Sequence, residues 1–171
     1  MKKGSKLYWF ITIVVIILAV AINGYIIMHS CLDAIESTKA SSQVVEVAED
    51  VVNTVRPDTI TPENHESFAT FIRKAFGHFG LFMVSGLLSS LALYLFLSPY
   101  SWCKHYMNVM FSLVFGLFMG ILTEMIQLTV PGRSGEAIDV LIDFSGYILG
   151  TFIIGLIIFL VIRKMRKNVR A

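Results

Sequence analysis

Four long apolar runs leave this chain few ways to fold. Residues 7–28, 76–97, 107–128 and 138–162 are almost wholly hydrophobic, and each reaches about the 20 residues that cross the hydrocarbon core of a bilayer. A backbone facing lipid must satisfy its own hydrogen bonds, so such runs fold as helices. The expected fold is all-α: an integral membrane four-helix bundle, a single domain over residues 1–171. Charge usage agrees. Only 15% of residues are charged, against about 25% in a soluble domain.

Basic residues set the expected orientation. With the N-terminus inside, the inner segments hold Lys2, Lys3, Lys6, Lys104, Arg163, Lys164, Arg166, Lys167 and Arg170, with no Asp or Glu among them. The segment 29–75 instead holds Asp33, Glu36, Glu46, Glu49, Asp50, Asp58, Glu63 and Glu66 against Lys39, Arg56, Arg73 and Lys74. Both termini are therefore expected in the cytoplasm, and 29–75 outside. The basic C-terminus directly follows a span, so it reads as a topology anchor touching anionic headgroups and not as a nucleic-acid patch. The first run is long for a signal peptide and is read as an uncleaved helix. Cys31 falls outside and Cys103 inside, so the two cysteines cannot pair within one chain.

The outer segment is expected to be partly helical. Val44, Val47, Ala48, Val51, Val52 and Val55 recur at helical spacing, with Ser41 or Ser42 as a cap and Pro57 as a stop. Thr61-Pro62-Glu63 resembles a second helix start. This segment reads either as an amphipathic connector, the favoured reading, or as a cover over the outer end of the bundle.

One short region breaks the apolar pattern. Glu124, Gln127, Arg133, Glu136, Asp139 and Asp143 lie within twenty residues of each other, between apolar flanks. Lys74 and His78 sit where the second run enters from outside, and Asn23 lies near the outer end of the first. All four helices thus bring polar groups to one end. At 3.6 residues per turn, Glu124 and Gln127 share a side with Gly116, Gly120 and Thr123. Asp139 and Asp143 share an arc with Gly146 and Gly150, and Lys74 and His78 share a stripe with Ser85 and Ser89. Small residues let helices approach closely, so these faces point inward. An acid at the centre of a membrane helix costs about 2.5–3.5 kcal/mol unless partnered or hydrated. The candidate site is therefore a paired, partly wet cluster of Lys74, His78, Glu124, Gln127, Arg133, Asp139 and Asp143. It reads as a clamp in which Arg133 and Lys74 hold the acids by ion pairs, as a headgroup-binding site, or as a catalytic centre.

Sequence signatures for specific chemistry are missing. There is no HExxH, GxxxxGK[ST], GxSxG or CxxC, so no metal, cofactor or catalytic residue is assigned.

The ordered set Lys74-x-x-x-His78, Glu124-x-x-Gln127, Pro131-Gly132-Arg133 and Asp139-x-x-x-Asp143-x-x-Gly146-x-x-x-Gly150 resembles the VanZ-like family of bacterial membrane proteins. The resemblance covers about half the chain, and Asp143 stands where the family pattern usually has Asn. It implies a multi-pass plasma-membrane protein whose namesake is linked to reduced susceptibility to the glycopeptide teicoplanin, with no established enzymatic activity. The function expected is binding of a membrane lipid or lipid-linked envelope molecule in an outer-leaflet polar pocket. Alternatives are an enzyme acting on such a lipid, or a scaffold whose polar layer is only a clamp. A proton or ion pathway ranks last, because no matching polar stripe runs to the cytoplasmic end.

Overall fold

The computed structural model describes residues 5–98 and 105–170. The inner placement expected for Lys2, Lys3, Cys103 and Lys104 falls outside the described residues, as do the side chains of Arg166, Lys167 and Arg170. Helix α1 (Lys6–Ser30) starts at Ser5, whose hydroxyl accepts from the Tyr8 N–H. After a tight turn, α2 (Ala34–Val55) begins at Asp33, whose carboxylate caps the Glu36 N–H at 2.8 Å. The expected cap at Ser41 or Ser42 is thus wrong by two turns. Those hydroxyls lie inside the helix and bond back to the preceding turn, while Asp33 supplies the stronger acceptor.

Helix α3 (His65–Ile72) begins after Asn64 and not at Thr61, because residues 61–64 form a turn that closes from Asn64 N–H to Thr61 O. It passes without a break through a π-helical segment (Arg73–Gly80) into α4 (Leu81–Leu97). Helices α5 (His105–Gln127) and α6 (Ala137–Arg170) complete the bundle. Among the described residues four helices are long and apolar enough to cross a membrane: Lys6–Ser30, His65–Leu97, Tyr106–Gln127 and Ala137–Lys164. The second is 33 residues long, about 50 Å at 1.5 Å per residue. That exceeds the ~30 Å hydrocarbon core, so one end projects beyond it. There α2 folds back on α3, with Val45 packed on Ala69 and Ile72 and His65 3.3 Å from Glu49.

The most extensive packing is between α4 and α6. Glycine makes it possible. A Cβ on Gly150 would lie 2.1 Å from the Met83 carbonyl oxygen, one on Gly146 2.3 Å from that of Phe79, and one on Gly86 2.3 Å from that of Tyr147. The two backbones therefore touch along several turns, as small residues permit between membrane helices. Ile26, Phe82, Met119 and Tyr147 form the apolar centre, bringing α1, α4, α5 and α6 together. Large apolar side chains such as Phe10, Ile17, Phe118, Leu141 and Phe152 stay exposed around the outside, as a lipid-facing surface requires.

Candidate functional site

The close approach of α6 to the π-helical segment aligns two side-chain pairs. Lys74 donates to Asp139 at 2.6 Å and to Glu136 at 3.0 Å. One turn on, His78 Nδ1 lies 3.0 Å from Asp143 Oδ1. Both cross-helix pairs have the same sequence offset, as neighbouring parallel helices require. π-Helical turns are rare and concentrate at functional sites; this one carries both bases.

Further along the same helix, Ser85 donates to Asn23 Oδ1 of α1 at 2.9 Å and Asn23 Nδ2 donates to Ser89 at 3.1 Å. Asn23 therefore packs below the charged cluster, not within it.

Glu124 is held from two sides. Gln127 Nε2 donates to its Oε1 at 3.0 Å, and the backbone N–H of Glu136 donates to its Oε2 at 2.9 Å. The loop can come this close because residue 135 is glycine: a Cβ there would sit 2.7 Å from the Glu124 carbonyl oxygen. Arg133 is aimed by the turn before it. Val130 to Arg133 closes with a hydrogen bond from the Arg133 N–H to the Val130 carbonyl, with Pro131 second and Gly132 third at φ +73°, the type II pattern that favours glycine. Its guanidinium donates to Gln127 Oε1 and to Ser37 of α2, both at 2.6 Å.

That placement corrects the clamp expected for Arg133. Among the described residues it makes no ion pair, because Lys74 takes Asp139 and the loop backbone takes Glu124. Burial draws the Arg133 pKa down, and the fields of Glu124 and Asp139 oppose that shift. Lys74 alone fulfils the clamp, with Asp139 and Glu136.

A cavity of about 470 Å³ opens beside these groups. Of the expected site residues, His78, Gln127, Arg133 and Asp143 line it, while Lys74, Glu124 and Asp139 do not. Tyr25, Ile26, Ile72, Phe76, Leu81 and Phe82 make the apolar side. Ser37, Thr38, Ser41 and Val44 of α2 line it too, so this helix forms part of the cavity wall. The sequence reading missed His29 and Arg73, which also line the cavity. Within the expected cluster it did not single out His78, Glu124 and Asp143, whose donor atoms all lie within 4.8 Å of one another. No local spacing signals that cluster, because each member comes from a different helix.

Deeper in the bundle the polar groups are uncharged. Ser90 lies 2.5 Å from Ser112 and 2.8 Å from Thr151, and Ser112 lies 3.3 Å from the Tyr147 hydroxyl. Tyr8 bonds the Leu95 carbonyl and Ser98 at the far end. Hydroxyl pairs thus continue toward that end, although among the described residues no ionisable cluster does.

Comparison with known proteins bears on this arrangement. The family model described as VanZ/LLP1 matches residues 9–160, and the chain belongs to that family. No curated protein and no solved structure gives a significant match.

Proposed function

We propose that this VanZ/LLP1 protein is a multi-pass protein of the bacterial plasma membrane that binds the anionic head of an amphiphile in the cavity beneath α2. A lipid-linked envelope precursor, an anionic lipid or a lipid-tailed glycopeptide has the required chemistry. One observation carries the reading: Arg133, on the cavity wall, holds only neutral acceptors among the described residues. A guanidinium so placed offers its remaining N–H groups to phosphate or carboxylate. The apolar wall opposite suits the first part of a lipid chain. The charge bias between segments supports an outward-facing site.

In cells, Arg133→Lys and Glu124→Gln should each remove a lipoglycopeptide-susceptibility phenotype while protein abundance stays unchanged. Loss of abundance instead supports the clamp reading. A membrane-impermeant thiol reagent should label Cys31, which is free and exposed, on intact cells; labelling of Cys103 instead inverts the assigned orientation.

A second reading, an enzyme acting on the same amphiphile, draws on the His78–Asp143 pair. An imidazole oriented by a buried carboxylate beside a cavity is an arrangement for general-base chemistry. Turnover by purified protein that disappears in Asp143→Asn would favour it.

A further inference from the structure

Once Lys74 has taken Asp139, two buried carboxylates remain. Glu124 is 4% exposed and Asp143 is fully buried. Among the described residues the one basic side chain within ion-pair distance of either is His78, 3.0 Å from Asp143 Oδ1 and 4.0 Å from Glu124 Oε1. Even a protonated imidazole carries one positive charge against two negative ones. An uncompensated buried carboxylate is strongly unfavourable. Independently, Asp143 Oδ2 is buried and has no hydrogen-bond partner, the one such side-chain atom among the described residues. Buried polar atoms left in this state call for an explanation such as an ion.

We propose that His78, Glu124 and Asp143 bind a divalent transition-metal ion, Mn²⁺ or Zn²⁺ in chemistry. Ligand atoms at about 2.1 Å from a shared ion lie no more than about 4.2 Å apart. The two His78–carboxylate separations already meet that bound, and all three donors fall within 4.8 Å. A small rotation of one carboxylate closes the set. Two carboxylates and a neutral imidazole balance a 2+ ion, and bidentate binding by Asp143 gives Oδ2 a partner as well. One imidazole with two carboxylates suits Zn²⁺ or Mn²⁺ and disfavours soft ions such as Cu⁺. Gln127 and the Glu136 N–H already orient Glu124 from behind, as outer groups do around metal ligands. Three protein ligands leave coordination positions open. His78 and Asp143 are on the cavity wall, so the ion site borders the cavity.

Full-length protein in neutral detergent, stripped with chelator and dialysed against Zn²⁺ or Mn²⁺, is assayed for metal per chain by elemental mass spectrometry. No anionic lipid is present, so the result is read separately from headgroup binding. One ion per chain is expected. Asp143→Asn and Glu124→Gln should each weaken binding by more than the ~10–100-fold that outer-shell changes cause, while Ser112→Ala, in the hydroxyl layer, keeps it. Wild-type protein gives a second readout that needs no variant. Substoichiometric Mn²⁺ should broaden the His78 imidazole NMR signals and spare those of His65, which faces Glu49. Absence of stoichiometric uptake by folded wild type, uptake unchanged in both ligand variants, or equal broadening of His65 and His78 would overturn the proposal.

Discussion

The hydroxyl layer in mid-bundle and the charged layer at its end are built by the same helices, yet they are completed differently. Ser90, Ser112, Thr151 and Tyr147 bond one another at separations between 2.5 and 3.4 Å. A hydroxyl both donates and accepts, so a few of them can close a network without outside help. Carboxylates only accept. Glu124 therefore borrows a backbone N–H and an amide, Asp139 takes a lysine, and Asp143 keeps one oxygen with no partner. Arg133 beside them lines the cavity, with no ion pair among the described residues. A closed layer is glue between helices. The open one has capacity left for a ligand.

Removing the frame they share gives the largest effect. Gly150→Ala places a Cβ 2.1 Å from the Met83 carbonyl oxygen and must separate α6 from α4. Overpacking of this kind costs about 1–3 kcal/mol or more. Thermal unfolding in detergent should show a large loss of stability, and headgroup and metal binding should fall together. Normal stability would mean that the glycine contact does not set the helix spacing.

Next in size is Lys74→Met, which strands Asp139 and Glu136. Lys74 is partly exposed, so the loss is expected at about 1–2 kcal/mol, below the ~3–5 kcal/mol of a fully buried pair. Adding Asp139→Asn should restore much of it. A double-mutant cycle with no coupling between positions 74 and 139 would remove the clamp from the account.

The smallest change is expected from Ser112→Ala. Hydrogen bonds between membrane helices average about 0.6 kcal/mol, so unfolding should shift slightly while ligand and metal binding stay as in wild type. A binding defect in this variant would erase the distinction between the two layers.

The spans were legible because bilayer thickness fixes helix length regardless of tertiary detail. The convergence of polar groups at one end was legible too, since helix direction alternates and the polar positions could be assigned by depth. The identities of the pairs were not. Arg133 was assigned to acids by charge alone, but the Pro131-Gly132 turn aims it at Gln127 and Ser37. The π-helical segment that carries Lys74 and His78 leaves no mark in apolar spacing. The valine stripe of α2 marked a helix correctly, yet Val44, Val47, Val51 and Val55 remain exposed while Val45 does the packing. A stripe left exposed and a stripe packed against protein look alike in sequence.

The most direct measurement is equilibrium binding of a polyprenyl phosphate to purified protein in neutral detergent, compared among wild type, Ser112→Ala and Arg133→Gln. Saturable one-to-one binding by the first two, lost in the third, is the predicted result. Equal binding by all three proteins, or none by folded wild type, would contradict the assignment of the charged layer as the site.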